Sequence, residues 1–309
     1  MFFEGSEKKI EVIVRSQLGS LRALGREFWT EMVACANAEI LSSISNEQCD
    51  AYLLSESSLF VWHDRFLMLT CGTTTLANAV VRFIERVGAD HIAFASYQRK
   101  NEYLSHLQCS AFSDDLKAIR ALLPGDAFRI GHLDSHHHYI FTSSQPYAAA
   151  PNDHTSELLM YHIRGEAADY LRSEQQSATE IRRLLHLEAM LPGFEFDDFL
   201  FEPFGYSING IRGDRYMTIH ITPQENSSYV SFETNLPLEG DYRQIFSRLL
   251  GILNPGSWDE IGFNAERHTE NYPAHLCLGS CSLSMAQGYK VEFSHYQQLC
   301  HEVLIPEAM

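Results

Sequence analysis

One pattern recurs twice in this chain and limits the folds open to it. Two short segments of alternating apolar and polar residues are joined by a tight polar turn and followed by a stretch of helical periodicity. The first copy, about residues 52–86, holds Ser58-Leu-Phe-Val-Trp62 and Arg65-Phe-Leu-Met-Leu69 with His63-Asp64 at the turn, then Leu76 to Glu85. The second, about 216–253, holds Tyr216-Met-Thr-Ile-His220 and Tyr229-Val-Ser-Phe-Glu233, then Tyr242 to Leu253 before Pro255. Period-2 alternation predicts antiparallel hairpins and 3.6-periodicity predicts helices laid on them. Phe128 to His132 with His138 to Thr142 reads as a further hairpin, and Asp114 to Leu123 and Thr155 to Tyr170 read as further helices. The expectation is an α+β layered fold with an internal duplication. Ser143-Ser-Gln-Pro-Tyr-Ala-Ala-Ala-Pro151 is the best candidate for a flexible connection.

A chain of 309 residues that is 45% hydrophobic has ample material for a packed core, in one large domain or two smaller ones. Its net charge of −17 argues against a surface built for nucleic acid or an anionic membrane, both of which need clustered cations. The seven cysteines (Cys35, Cys49, Cys71, Cys109, Cys277, Cys281, Cys300) are odd in number and form no paired framework, which predicts a reduced, cytoplasmic protein. No stretch has the layout of a signal peptide or the roughly 18 apolar residues of a membrane span.

The chemistry concentrates at Glu56-Ser57-Ser58. A serine hydroxyl next to its own peptide carbonyl can attack it, pass through an ester and eliminate, leaving an N-terminal ketone. Taken alone, Ser-Glu-Ser-Ser is equally an ordinary polar turn. His220, in an alternating strand, is by default a histidine satisfied by hydrogen bonds, and Cys71 a small buried hydrophobe. Phe3 and Phe201 are as readily core aromatics as ligand contacts. His136-His137-His138 does not favour a metal, because adjacent strand residues point to opposite faces. Cys277-Leu-Gly-Ser-Cys281 lacks a second ligand pair and reads as structural.

Four blocks, in order, decide among these readings. They are Phe2-Phe3-Glu4-Gly5-Ser6-Glu7-Lys8, the run Tyr52 to Val61 with Thr70-Cys71-Gly72-Thr73-Thr74, Phe201-Glu-Pro-Phe-Gly205-Tyr-Ser207-Ile-Asn209-Gly210, and Thr218-Ile-His220-Ile-Thr222-Pro223 with Ser228 to Asn235. Together they resemble the eukaryotic-type S-adenosylmethionine decarboxylases, pyruvoyl enzymes of polyamine synthesis, over roughly residues 2 to 235. The resemblance implies a four-layer αββα sandwich of two antiparallel sheets. It also implies one domain cleaved between Glu56 and Ser57 into chains 1–56 and 57–309, with Ser57 becoming the pyruvoyl group. That ketone condenses with the substrate amine and serves as the electron sink for decarboxylation.

By the same resemblance His220, Ser207 and Glu7 act in maturation, His220 by removing the α-proton of the ester. Cys71 is the proton donor to the substrate carbon, and Glu4 a catalytic carboxylate beside it. Phe3 and Phe201 clamp the adenine, Leu54 packs near it, and Gln224 stands where family members grip the ribose with glutamate. Phe204 replaces a cysteine beside that pocket. Glu11, Asp153, Thr155, Glu157 and Glu233 match the polar residues of a putrescine site in animal members. Leu69, however, stands where those members carry lysine, and Lys9 where plant members carry arginine, so that Lys9 can fill the role internally. Independently of the resemblance, Asp153 could cap a helix starting near Thr155, with Glu157 in its first turn. S-adenosylmethionine is the expected partner, with putrescine as a possible activator, and relatives occur as dimers of processed protomers or as monomers. Two rival functions stay open: a pyruvoyl decarboxylase of ornithine or arginine, prompted by Gln224, and an unprocessed regulatory paralogue.

Overall fold

The computed structural model describes residues 3–133, 135–265, 274–299 and 306; Phe2 and Cys300 lie outside them. The first half contributes strands β1 (Lys8–Val14), β2 (Ile40–Ser45), β3 (Asp50–Leu54), β4 (Ser57–Val61), β5 (Arg65–Thr70), β6 (Ile92–Lys100), β7 (Gly125–Gly131) and β8 (His137–Ser143). The second contributes β9 (Thr155–Tyr161), β10 (Glu195–Leu200), β11 (Tyr206–Arg212), β12 (Arg215–Thr222), β13 (Tyr229–Thr234), β14 (Ser257–Phe263), β15 (His275–Ser284) and β16 (Lys290–Gln298). Each half forms one antiparallel eight-stranded sheet. Their orders, β2-β3-β4-β5-β1-β6-β8-β7 and β10-β11-β12-β13-β9-β14-β16-β15, are the same order displaced by eight strands. The internal duplication read from the repeated hairpins therefore extends to the whole topology, and residues 144–154 are the link between the two sheets.

The cores define the layers. Helices α1 (Gly25–Cys35), α2 (Leu76–Val87) and α3 (Phe112–Arg120) bury Trp29, Val33, Val80, Phe83 and Ile119 against Ile10, Val12, Leu59 and Met68 of the first sheet. Helices α4 (Glu166–Leu171), α5 (Ala178–Leu184), α6 (Leu187–Met190) and α7 (Ile245–Leu253) do the same for the second with Leu171, Ile181, Leu187, Phe246 and Leu249. Two apolar patches join the sheets face to face. One sets Ile13, Phe94 and Ile140 against Leu159, Tyr161 and Phe293; the other sets Phe60, Trp62 and Leu69 against Ile211 and Tyr216. This is the expected αββα sandwich.

One sequence expectation fails. Thr155 to Tyr161 is a central strand, and the helix is confined to Glu166–Leu171. β9 runs between β13 and β14 with all seven residues buried, so the exposure difference that makes alternation visible is missing. Asp153 accordingly caps no helix.

Candidate active site

The Glu56–Ser57 bond sits where the β3–β4 hairpin turns, with Ser55-Glu56 as the turn and Leu54 paired to Ser57. Ser57 has φ +141°, a region that L-residues rarely occupy. Holding a serine there costs on the order of 1–3 kcal/mol. The Glu56 carbonyl oxygen accepts two bonds, from the Cys71 backbone N–H at 2.9 Å and from its thiol at 3.3 Å. Two donors on one carbonyl polarise it and would stabilise an oxyanion formed there.

Facing this turn, the second sheet presents two strands in register. Ser207 pairs with His220, and Asn209 with Thr218, so four polar side chains two residues apart project from one face of β11 and β12 into the layer between the sheets. His220 Nε2 lies 3.0 Å from Ser57 Oγ, 3.3 Å from Ser58 Oγ and 2.8 Å from Thr218 Oγ1, while Nδ1 lies 2.9 Å from Ser207 Oγ. The Asn209 side-chain oxygen accepts from Ser58 at 2.6 Å and from Thr218 at 3.1 Å, and its nitrogen donates to the Tyr52 carbonyl. Those bonds occupy the protons of Ser58 and Thr218, leaving the Ser57 O–H to His220. Burial lowers the pKa of the imidazole, which keeps it neutral. With its proton on Nδ1 toward Ser207, it offers Nε2 to Ser57 as a base.

Cys71 is buried, and desolvation, reinforced by the nearby Glu56 carboxyl, raises its thiol well above the ordinary value. It therefore persists as S–H, the form that can donate a proton. Desolvation also pushes Glu56 up to about 7, and its Oε2 is buried without a hydrogen-bond partner. Gly72, with φ +65°, is the close approach here: a β-carbon on it would lie 3.0 Å from Glu56 Oε2 and 3.2 Å from the Phe3 ring. Glu4 is buried alongside, its carbonyl accepting from Gly72 N–H and its carboxylate from Leu104 N–H at 3.1 Å; burial raises it as well. Glu7 accepts from Ser231 at 2.7 Å, Tyr229 at 3.2 Å and Lys100 at 3.4 Å.

The ligand-contact expectations divide. Gln224 donates to the Phe3 carbonyl at 3.4 Å and accepts from Ser227, so these two lie side by side. Phe201 forms an edge-on pair with Phe199 at 4.9 Å, and Leu54 is fully buried in the helix-side core under the first sheet. Sequence reasoning passed over Ser58, Asn209 and Thr218, although their two-residue spacing from Ser207 and His220 was the available signal. It also passed over Lys8, whose ammonium donates to the Gly72 carbonyl at 3.0 Å and to Gln108 at 2.9 Å.

Glu11, Asp153, Thr155, Glu157 and Glu233 lie near one another between the sheets, with cations already among them. Glu157 and Glu233 are cross-strand neighbours. Lys9 bridges them at 2.8 and 2.9 Å, and Lys100 binds Glu157 at 2.9 Å. Arg65 reaches Asp153 at 2.9 Å and Glu11 at 3.6 Å, and Tyr289 donates to Asp153. Thr155 lies buried on the same strand as Glu157. Glu157 is held well below the carboxylate range by the two lysines despite its burial, whereas burial pushes Glu233 up to about 7. Among the described residues no helix is long and apolar enough to cross a membrane.

Comparison with known proteins agrees with this architecture. Residues 1–306 match the family model for adenosylmethionine decarboxylase. The S-adenosylmethionine decarboxylase proenzyme of Dictyostelium discoideum is 32% identical, covering 97% of this chain and 87% of the relative. That of Trypanosoma cruzi is 33% identical, with 95% and 88% covered, and that of Xenopus laevis 34%, with 82% and 81%. The crystal structure of the Trypanosoma brucei AdoMetDC-delta26 monomer superposes with a TM-score of 0.61 at 26% identity, over 78% of this chain and 98% of that one. With a family model matched along nearly its whole length and relatives above 30% identity, this chain belongs to the adenosylmethionine decarboxylase family.

Proposed function

We propose that the chain is a self-processing decarboxylase of S-adenosylmethionine, whose product donates aminopropyl groups in polyamine synthesis. The observation that carries the reading is Ser57 Oγ 3.0 Å from a neutral His220 while the preceding carbonyl receives both Cys71 donors. Ser57 Oγ attacks the Glu56 carbonyl carbon, the peptide C–N bond gives way to an ester, and the hydroxyl proton passes to the freed amine. His220 then takes the α-proton of residue 57 and the Glu56 carboxylate leaves. Tautomerisation and hydrolysis release ammonia and leave a ketone at position 57 heading chain 57–309. Ser207 fixes the imidazole during these steps and Glu7 holds the surrounding hydroxyls.

A pyruvoyl group fits here, because the small Gly72 and the unpartnered Glu56 carboxyl leave a cradle beside residue 57. When formed, it supplies the electron sink that α-decarboxylation needs. The Cys71 thiol returns a proton to the substrate carbon. Glu4, a catalytic carboxylate in the same pocket, favours the cationic substrate, and Phe3 and Phe201 offer aromatic faces to its adenine and sulfonium, with Leu54 packed behind the turn. Gln224, positioned beside Phe3, replaces a carboxylate at the ribose with a group that both donates and accepts. Lys9, Lys100 and Arg65 neutralise the acidic cluster from within, so maturation proceeds without an added diamine.

Intact-mass measurement of the purified chain tests the first half of this reading: chains 1–56 and 57–309, the latter with a ketone terminus, are expected with or without putrescine. Carbon dioxide release from S-adenosylmethionine, compared with ornithine and arginine, tests the second. An uncleaved, inactive chain, or a preference for either basic amino acid, overturns the proposal.

A further inference from the structure

The three consecutive histidines separate as strand geometry requires. His138 turns inward to Gln98 at 2.7 Å, and His137 lies edge-on to Tyr139. His136, in the β7–β8 turn of the first sheet, instead meets two residues of the second sheet, Asp259 on β14 and His295 on β16, which are register partners. His136 Nδ1 is 3.0 and 3.2 Å from the two Asp259 oxygens, and His295 Nδ1 is 2.7 Å from one of them. The rings lie 4.0 Å apart, tilted by 32°, and one ligand atom from each residue falls within 4.8 Å of the others.

This arrangement does more than satisfy hydrogen bonds. The carboxylate already accepts from Tyr161 at 3.0 Å, yet two imidazoles aim the same ring nitrogen at it. A ring nitrogen from the first sheet and one from the second therefore converge on a single carboxylate. Two imidazoles and a carboxylate form a three-ligand donor set that suits a tetrahedral divalent ion, with water in the fourth place. His136 remains 17% exposed, leaving a side from which ion and water can enter, while Tyr161 plays the outer-shell part of orienting the carboxylate.

We propose that His136, Asp259 and His295 bind one divalent transition-metal ion of the zinc class, which staples the β7–β8 turn to the second sheet. The ion takes the place between the two Nδ1 atoms and the carboxylate. A site drawing ligands from both sheets exists only in the folded chain, so occupancy stabilises the fold.

The test is to strip the purified full chain with a chelator, dialyse, and titrate it with Zn2+ by calorimetry and with Co2+ by visible absorption. The expected results are one ion per chain, the d–d bands of low-symmetry cobalt, and a higher Tm with Zn2+. His136→Ala, and His136→Gln as a second variant at this half-buried turn position, should weaken binding at least about tenfold and remove the Tm increment, with unchanged circular dichroism. Cys109→Ala and Cys277→Ala, which remove exposed thiols, should leave binding intact. No saturable binding, binding unchanged in both His136 variants, or binding lost with either cysteine overturns the proposal.

Discussion

Two hairpins of this molecule occupy equivalent places in the duplicated topology, and they differ in where their backbone is strained. β3–β4 and β11–β12 are the second and third strands of their sheets. The β11–β12 turn is Gly213-Asp214, and its φ of +60° falls on glycine, which adopts it without penalty. The β3–β4 turn is Ser55-Glu56, and the positive φ falls on Ser57. Around them the proposed roles divide too: the strained hairpin would carry the nucleophile and the carbonyl, and the relaxed one carries Ser207, Asn209, Thr218 and His220, which lie against them. The duplication thus provides a pair of hairpins, one strained and one relaxed, facing each other across the sandwich.

The comparison can be broken most completely by Ser57→Ala. It leaves the hairpin without a nucleophile, and intact-mass spectrometry should find only the full-length chain. Next, His220→Ala removes the proposed base from the β11–β12 hairpin; cleavage followed by gel densitometry should slow by roughly 10²–10⁴-fold. The pH profile of the unmodified chain sharpens the same point. His220 is lowered from 6.5, so it stays a neutral base until the pH falls below that value; Cys71 is raised above 9.0, so its donor survives into the alkaline range. The cleavage rate should therefore be flat from 6.5 to 9.0.

A smaller effect on chemistry and a large one on stability should follow Lys9→Met, which leaves Glu157 and Glu233 facing each other without their bridging cation. Denaturant unfolding should report a loss of about 3–5 kcal/mol. Glu157, depressed in the fold, stabilises above its unfolded value of 4.5 and loses that contribution as pH falls through its folded value. Glu233, raised to about 7, contributes most below 4.5 and loses it as pH rises through 7. The loss in Lys9→Met should therefore deepen above pH 7. The smallest effect belongs to Gly213→Ala, which puts a β-carbon at φ +60°; a cost of about 1 kcal/mol with unchanged cleavage is expected, measured by the same two assays.

Much of this was legible in the sequence for a physical reason. Strands with one face on helices and the other on a mixed layer keep a period of two, which exposed the repeated hairpins and set Ser207 and His220 among inward residues. β9 was misread because both of its faces are buried and its inward residues, Thr155 and Glu157, are polar. The cations among the acidic residues were only partly foreseen. Lys9 was noticed through its resemblance to a known position, but Lys100 lies 57 residues from its partner Glu157, and Arg65 lies 88 from Asp153. No local pattern encodes such pairings. Likewise the meeting of His136 with Asp259 and His295 depends on how one sheet lies over the other.

The place of β1 in the first sheet governs what cutting the chain can do. It runs between β5 and β6, with six and seven register pairs, yet belongs to the segment before Ser57. A break after Glu56 therefore severs the polypeptide without freeing either piece. The 56-residue product would have to surrender three ladders, β1–β5, β1–β6 and β3–β4, with the buried Lys9 bridge and part of the helix-side core, to depart. The two chains should co-purify as one particle under native conditions and separate only when the fold itself is lost, so that maturation is irreversible covalently yet silent in overall shape.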